Sequence, residues 1–223
     1  MNYFAHALPF LDDPYFAAGT GVPDWLSVAD RGVRVRRKHA EPLAKDPDGV
    51  TASVARGVIQ HIRDDARFHE SRCFVELSIE LAGRFREVLD EPSGYRPSFL
   101  GHLLGEVLLD ASLIAEAPAK LEEYCRVLDS VDGRQVEEAV NRMATRPTDR
   151  LAGMISRFCG ERILWDYLED VRLLGRLNQV MRRVGFAELP DGFRDVLPEA
   201  REQVSRRTAE LLDGIPVEAL PRT

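Results

Sequence analysis

Cysteine is scarce in this chain. Cys73, Cys125 and Cys159 are an odd number in 223 residues, far apart and without a CxxC pair. That spacing frames neither a disulfide-stabilised domain nor a zinc ribbon, so buried thiols are expected. No apolar run approaches the ~20 residues of a membrane span. The opening Met1-Asn2-Tyr3-Phe4-Ala5-His6 lacks the basic and long apolar regions of a signal peptide. A cytoplasmic protein with no membrane span is therefore expected. Sustained apolar/polar alternation is missing, as is any βαβ rhythm, which argues against a sheet. The motifs GxxxxGKS/T, GxGxxG and GxSxG do not occur, and with them go the phosphate-cradling loops and the nucleophile elbow that depend on such turns. A formal net charge of −7 argues against nucleic-acid binding through overall charge.

What remains reads as all-α. The chain is 44% hydrophobic, enough for one domain over 1–223 with a sizeable core. A long helix is expected from about Thr51 to Asp90, capped by Asp48 or Thr51 and ended by Glu91-Pro92-Ser93-Gly94. Pro97-Ser98 opens a second helix, Phe99 to about Ala115, apolar nearly all round and so buried on most sides. Further helices fit 118–130, 133–145, 148–158, 160–184 and 195–213. Gly19 to Trp25 reads as a turn leading into a short helix, with Pro23 in its first turn and Asp24 at its N-terminus.

The chemistry-bearing residues fall in rows. His61, Asp65 and His69 are spaced i, i+4, i+8, which puts them within ~80° of one another along ~12 Å of one helix side. The same spacing recurs in His102, Glu106 and Asp110, the only ionisable residues of an otherwise apolar helix. An acid set on an apolar stripe needs a partner or a proton, and a divalent cation is an efficient partner. No single ion reaches both ends of such a row, because ligand bonds are ~2.0–2.2 Å. The ordinary readings are a wet helix face for the first row and an internal hydrogen-bonded cluster for the second. Asp64 belongs to the site if the helix phase is one residue off. Taken alone, His6 is an incidental histidine and Asp24 a helix cap. His39 sits in a polar, proline-flanked loop and is left out. The basic run containing Arg31, Arg34, Arg36, Arg37 and Lys38 is either a solvated face or an anion clamp.

In order, Met1-Asn2-Tyr3-Phe4-Ala5-His6, the segment Gly19-Thr20-Gly21-Val22-Pro23-Asp24-Trp25, His61-x-x-x-Asp65 and His102 resemble the acyl carrier protein phosphodiesterase family. Its members are helical, HD-domain-like, metal-dependent phosphodiesterases that release 4′-phosphopantetheine from holo-acyl carrier protein. The segment Tyr167 to Arg183, with Leu177-Asn178, is similar to a late family segment. The chain departs from the pattern at Gly101, where the family carries Asp before its histidine, and at His69, an acidic position there. The Gly-x-x-Pro-Asp turn and the helix Gly101 to Asp110 are also similar to zinc-dependent phospholipase C-like proteins.

The resemblance implies an HD-domain-like bundle with additional C-terminal helices and one or two divalent metal ions (Mn, Fe or Zn) held by His6, Asp24, His61, Asp65 and His102; the helical rows add His69, Glu106 and Asp110 as further ligands or as groups that support the ligands. Asp24, Asp64, Glu106 and Asp110 are the candidate catalytic carboxylates. Arg34, Arg36 and Arg37 are the candidates for binding the phosphate or the acidic face of a carrier. Two alternatives stand beside this reading. One is a hydrolase of another phosphoester, such as a phospholipid or nucleotide. The other is a non-catalytic helical binding protein on the same scaffold, which would dimerise through its C-terminal helices.

Overall fold

The computed structural model describes residues 1–89 and 96–215. It is all-α. In chain order the helices are α1 Tyr3–Ala7, α2 Pro14–Ala29, α3 Arg37–Ala40, α4 Gly49–Glu70, α5 Arg72–Val88, α6 Pro97–Glu116, α7 Pro118–Asp129, α8 Gly133–Asn141, α9 Leu151–Gly160, α10 Asp170–Val184 and α11 Leu197–Leu211. Short 3₁₀ turns lie at Leu8–Phe10, Glu41–Lys45, Ile163–Leu168 and Asp191–Val196. Among the described residues the β structure is one isolated antiparallel bridge, Val35 to Ala144.

Three sequence expectations change. The long helix breaks at Ser71, whose backbone is extended and whose side chain accepts from Phe74 N, so α5 starts with its own cap. The expected stop at Glu91-Pro92-Ser93-Gly94 lies outside the described residues. The supposed turn at Gly19 to Trp25 is the middle of α2, which Asp13 caps through Phe16 N and which carries Pro23 inside it. Asp24 is therefore not a helix cap. The glycines there serve packing instead. A Cβ on Gly19 would sit 2.5 Å from Val54 O, and one on Gly57 2.3 Å from Phe16 O, so α2 and α4 cross backbone to backbone. Finally, 160–184 is not one helix: Arg162 takes a left-handed backbone (φ 47), a 3₁₀ turn follows, and α10 starts at Asp170.

The chain divides into two compact units. One comprises Asn2–Arg67 and Ala117–Arg162; the other comprises Met1, Phe68–Glu116 and Ile163–Ile215. In the first, α2 packs against α1, α7, α8 and α9. Its core includes Trp25 in edge contact with Phe158 at 5.4 Å and Phe4 beside Tyr124 at 6.0 Å. Ser53 Oγ on α4 donates to the Asp13 carboxylate at 2.9 Å, tying the start of α4 to the cap of α2.

In the second unit α6 packs against α5, α11 and the 3₁₀ turn Ile163–Leu168. A Cβ on Gly101 would lie 2.3 Å from Ser78 O, so that glycine admits the neighbouring helix. Among the described residues α6 is the helix long and apolar enough to cross a bilayer, and 61% of that stretch is buried within the fold, as in a core helix. Leu100, Leu104, Leu108 and Leu109 are each at most 1% exposed. Burial of this kind contributes ~1.5–3 kcal/mol per side chain.

Candidate metal centre

In the first unit, α1 delivers His6 and α4 delivers His61, Asp64 and Asp65. His6 lies among Phe4, Ala5 and Ala7, all buried, and is itself fully buried. His61 and Asp64 are each 3% exposed. The apolar stripe of Val54, Val58 and Phe68 sets the phase that turns Asp64 inward, the one-residue shift of phase that admits this carboxylate to the site. Donor atoms of His6, His61 and Asp65 all lie within 4.8 Å of one another.

The polar contacts are specific. His61 Nδ1 lies 2.8 Å from the Thr20 carbonyl oxygen. A carbonyl only accepts, so Nδ1 carries a proton. His61 Nε2 faces Asp65 Oδ2 at 3.2 Å, and His6 Nε2 faces Asp65 Oδ1 at 3.1 Å. The two imidazoles stack, with centroids 4.1 Å apart and planes 28° apart. His6 Nδ1 has no hydrogen-bond partner among the described residues; Asp64 Oδ2 lies 3.5 Å from it. Gln60 Nε2 donates to Asp64 Oδ1 at 2.7 Å.

The electrostatics follow from the burial and the charges. Burial acts to lower the His61 pKa, but the negative charge of Asp24 and the hydrogen bond and charge of Asp65 outweigh it, leaving it raised. Burial acts to raise that of Asp65, yet the hydrogen bonds from His6 and His61 and the His61 charge hold its carboxyl well below the usual carboxylate range. Asp24, half-buried on α2, thus belongs to the field of the site.

Whether a divalent cation fits can be tested on these groups. The donors are two imidazole nitrogens and a carboxylate, a set suited to Mn, Fe or Zn. His61 has the orientation of a metal-binding histidine, its far nitrogen donating to a backbone carbonyl and its near one aimed inward. The unpartnered Nδ1 of His6 leaves donor capacity unused on a buried ring, a cost of ~1–3 kcal/mol. Asp24 and Asp65 both bring negative charge to His61, which favours a cation there. The residues fit the ion.

The second row behaves differently. In the second unit, donor atoms of His69, His102 and Glu106 also lie within 4.8 Å of one another. His102 therefore groups with Glu106 and His69 rather than with His6, His61 and Asp65. Asp110 is fully buried on α6. Arg34, Arg36 and Arg37 are exposed. The Arg34 guanidinium donates to the carbonyls of Arg31 and Val33, and Arg37 pairs with Glu41 at 2.7 Å.

Two members of the first site escape a sequence reading. The Thr20 carbonyl leaves no side-chain signal. It lies in the helical turn before Pro23, whose ring crowds the backbone of that turn. Gln60 was detectable only as an i, i+4 partner of Asp64. Comparison with protein-family models, with curated proteins and with solved structures finds no match.

Proposed function

We propose that the protein is a cytoplasmic, metal-dependent phosphodiester hydrolase on an HD-domain-like scaffold, and that its reaction is release of 4′-phosphopantetheine from holo-acyl carrier protein. The observation that carries the reading is the pairing of His61 with Asp65. With Nδ1 committed to Thr20, the Nε2 lone pair faces a carboxylate oxygen at 3.2 Å. Two lone pairs do not meet at that distance without a cation between them. A proton fills the role in the metal-free protein, and a divalent ion replaces it.

His6, His61 and Asp65 would hold the ion. When bound, it supplies Lewis acidity, acidifying water and neutralising charge on the phosphate. Asp64, oriented by Gln60 at 2.7 Å, is the carboxylate assigned to align the attacking water and take its proton. Asp24 adds negative charge that strengthens cation binding. Glu106 and Asp110 belong to α6, in the other unit. The exposed run Arg31 to Lys38 is the surface for the acidic face of a carrier, by charge complementarity. Three free cysteines suit a reducing compartment.

The test is metal content and turnover. Protein purified without added metal should contain Mn, Fe or Zn. It should hydrolyse bis-p-nitrophenyl phosphate, and Asp65→Asn should abolish that activity while the protein stays folded. If no divalent metal binds and none supports turnover, the reading fails and a non-catalytic helical binding protein is left.

A further inference from the structure

We propose that His69, His102 and Glu106 form a second cation site, for a borderline-soft divalent ion such as Zn²⁺, with ligands separate from those of the first. It does not depend on the hydrolase reading. His69 Nε2 lies 2.7 Å and His102 Nε2 3.3 Å from the same oxygen, Glu106 Oε1. The rings are 4.7 Å apart between centroids. Both are held against Phe74, whose ring centroid is 5.4 Å from His69 and 4.9 Å from His102. That apolar wall limits the rotamers of both histidines, so two nitrogens and one oxygen are aimed together before any ion arrives.

Three further features point to a cation. Glu106 Oε2 accepts nothing from the described residues, so the carboxylate keeps a free oxygen. Neither ring uses its Nδ1 in a hydrogen bond with the described residues. The two Nε2 atoms can therefore lose their protons to Nδ1 by tautomer exchange and become lone-pair donors. The site is also reachable: the side chains of His69, His102 and Glu106 are 33%, 46% and 17% exposed. A cation already stands on the carboxylate, because the α-amino group of Met1 lies 3.2 Å from Oε1. A divalent ion has to displace it. Two imidazoles and one carboxylate select Zn²⁺, Ni²⁺ or Co²⁺ over Mg²⁺ and Ca²⁺.

The experiment titrates Zn²⁺ into chelator-stripped full-length protein by calorimetry and counts equivalents. Two are expected in the wild type. His69→Ala and Glu106→Gln should each lose one, with affinity for it falling more than ~100-fold, beyond the loss expected for a supporting contact alone. Each should retain the equivalent that Asp65→Asn loses. Should a variant fold poorly, wild-type protein answers the same question. Diethylpyrocarbonate should modify the exposed His102, and Zn²⁺ should slow that modification at least ~10-fold, as expected for a ligand nitrogen with its lone pair in use. Retention of both equivalents in His69→Ala and Glu106→Gln, a single equivalent that depends only on Asp65, or unprotected His102 would each overturn the site. A failure here with the Asp65-dependent equivalent intact leaves the hydrolase reading standing.

Discussion

His61 donates through Nδ1 to the carbonyl oxygen of Thr20 at 2.8 Å, from a ring that is 3% exposed. This one hydrogen bond decides which nitrogen of His61 faces Asp65, and so makes the space between them a place for a positive charge. If proton and metal compete for it, metal binding must release protons. Calorimetry at one pH in two buffers of different ionisation enthalpy should show a buffer-dependent heat. At metal concentrations 100 times Kd the folded state should gain about 2.7 kcal/mol, or ~5–10 °C in Tm for a chain of this size. Buffer-independent heat would mean the ion binds elsewhere.

The α2–α4 crossing should be intolerant of one methyl group. A Cβ at Gly57 meets Phe16 O at 2.3 Å and Gly19 Cα at 2.8 Å. Both are backbone atoms that cannot swing aside. Gly57→Ala should destabilise by ~2–3 kcal/mol and weaken metal binding, because the same crossing sets Thr20 against His61. Gly83, inside α5 with nothing within 4 Å of a built Cβ, is the control. Gly83→Ala should stabilise by ~0.5–1 kcal/mol through helix propensity. Equal melting temperatures for the two variants would refute the crossing argument.

Charge reversal separates carrier docking from chemistry. Arg36 is exposed within the basic run. Arg36→Glu should raise KM for a carrier-protein substrate about tenfold, about 1.4 kcal/mol, with kcat unchanged. Turnover of bis-p-nitrophenyl phosphate should not move. Steady-state kinetics on both substrates checks this, and a parallel loss on the small substrate would place Arg36 at the phosphate instead.

The thiols should be inert at neutral pH. Burial first, then Glu210, pushes Cys73 up to about 11; burial first, then Asp129, pushes Cys159 up to about 12. An unfolded thiol titrates near ~8.5. The folded value lies above the unfolded one, so the stabilisation is complete below pH ~8.5 and is lost as pH rises through the folded values. Stability should decline in that alkaline range. Ellman's reagent at pH 8 should label Cys73 roughly two hundredfold more slowly in the native protein than in denaturant, from the thiolate fractions. Fast native labelling would contradict the burial.

Much of the fold was legible because periodicity survives in any local window. Asp48 accepts from Thr51 N at 3.1 Å, as the capping pattern suggested, and α6 starts at Pro97 as its sequence implied. Errors came where one residue type serves two purposes. Glycine at 19 and 21 with proline at 23 is turn vocabulary, yet here it is the thin side of a helix that another helix must approach. Ser71 is an ordinary polar residue in a window of helix formers. Only its bond to Phe74 N reveals it as a cap.

The sequence by itself determined the all-α class and the candidate donors His61, Asp65, His69, His102 and Glu106, because helical spacing and side-chain chemistry are local properties; His6 entered only through the resemblance of its N-terminal segment. Tertiary structure alone decided how they are shared. It put His6 beside Asp65 across 59 positions of chain and His69 beside Glu106 across 37, turning two rows along helices into two trios. It also turned Asp64 inward and set a backbone carbonyl behind His61. A row states only which donors share a helix face; the face packed against it selects the donors that meet.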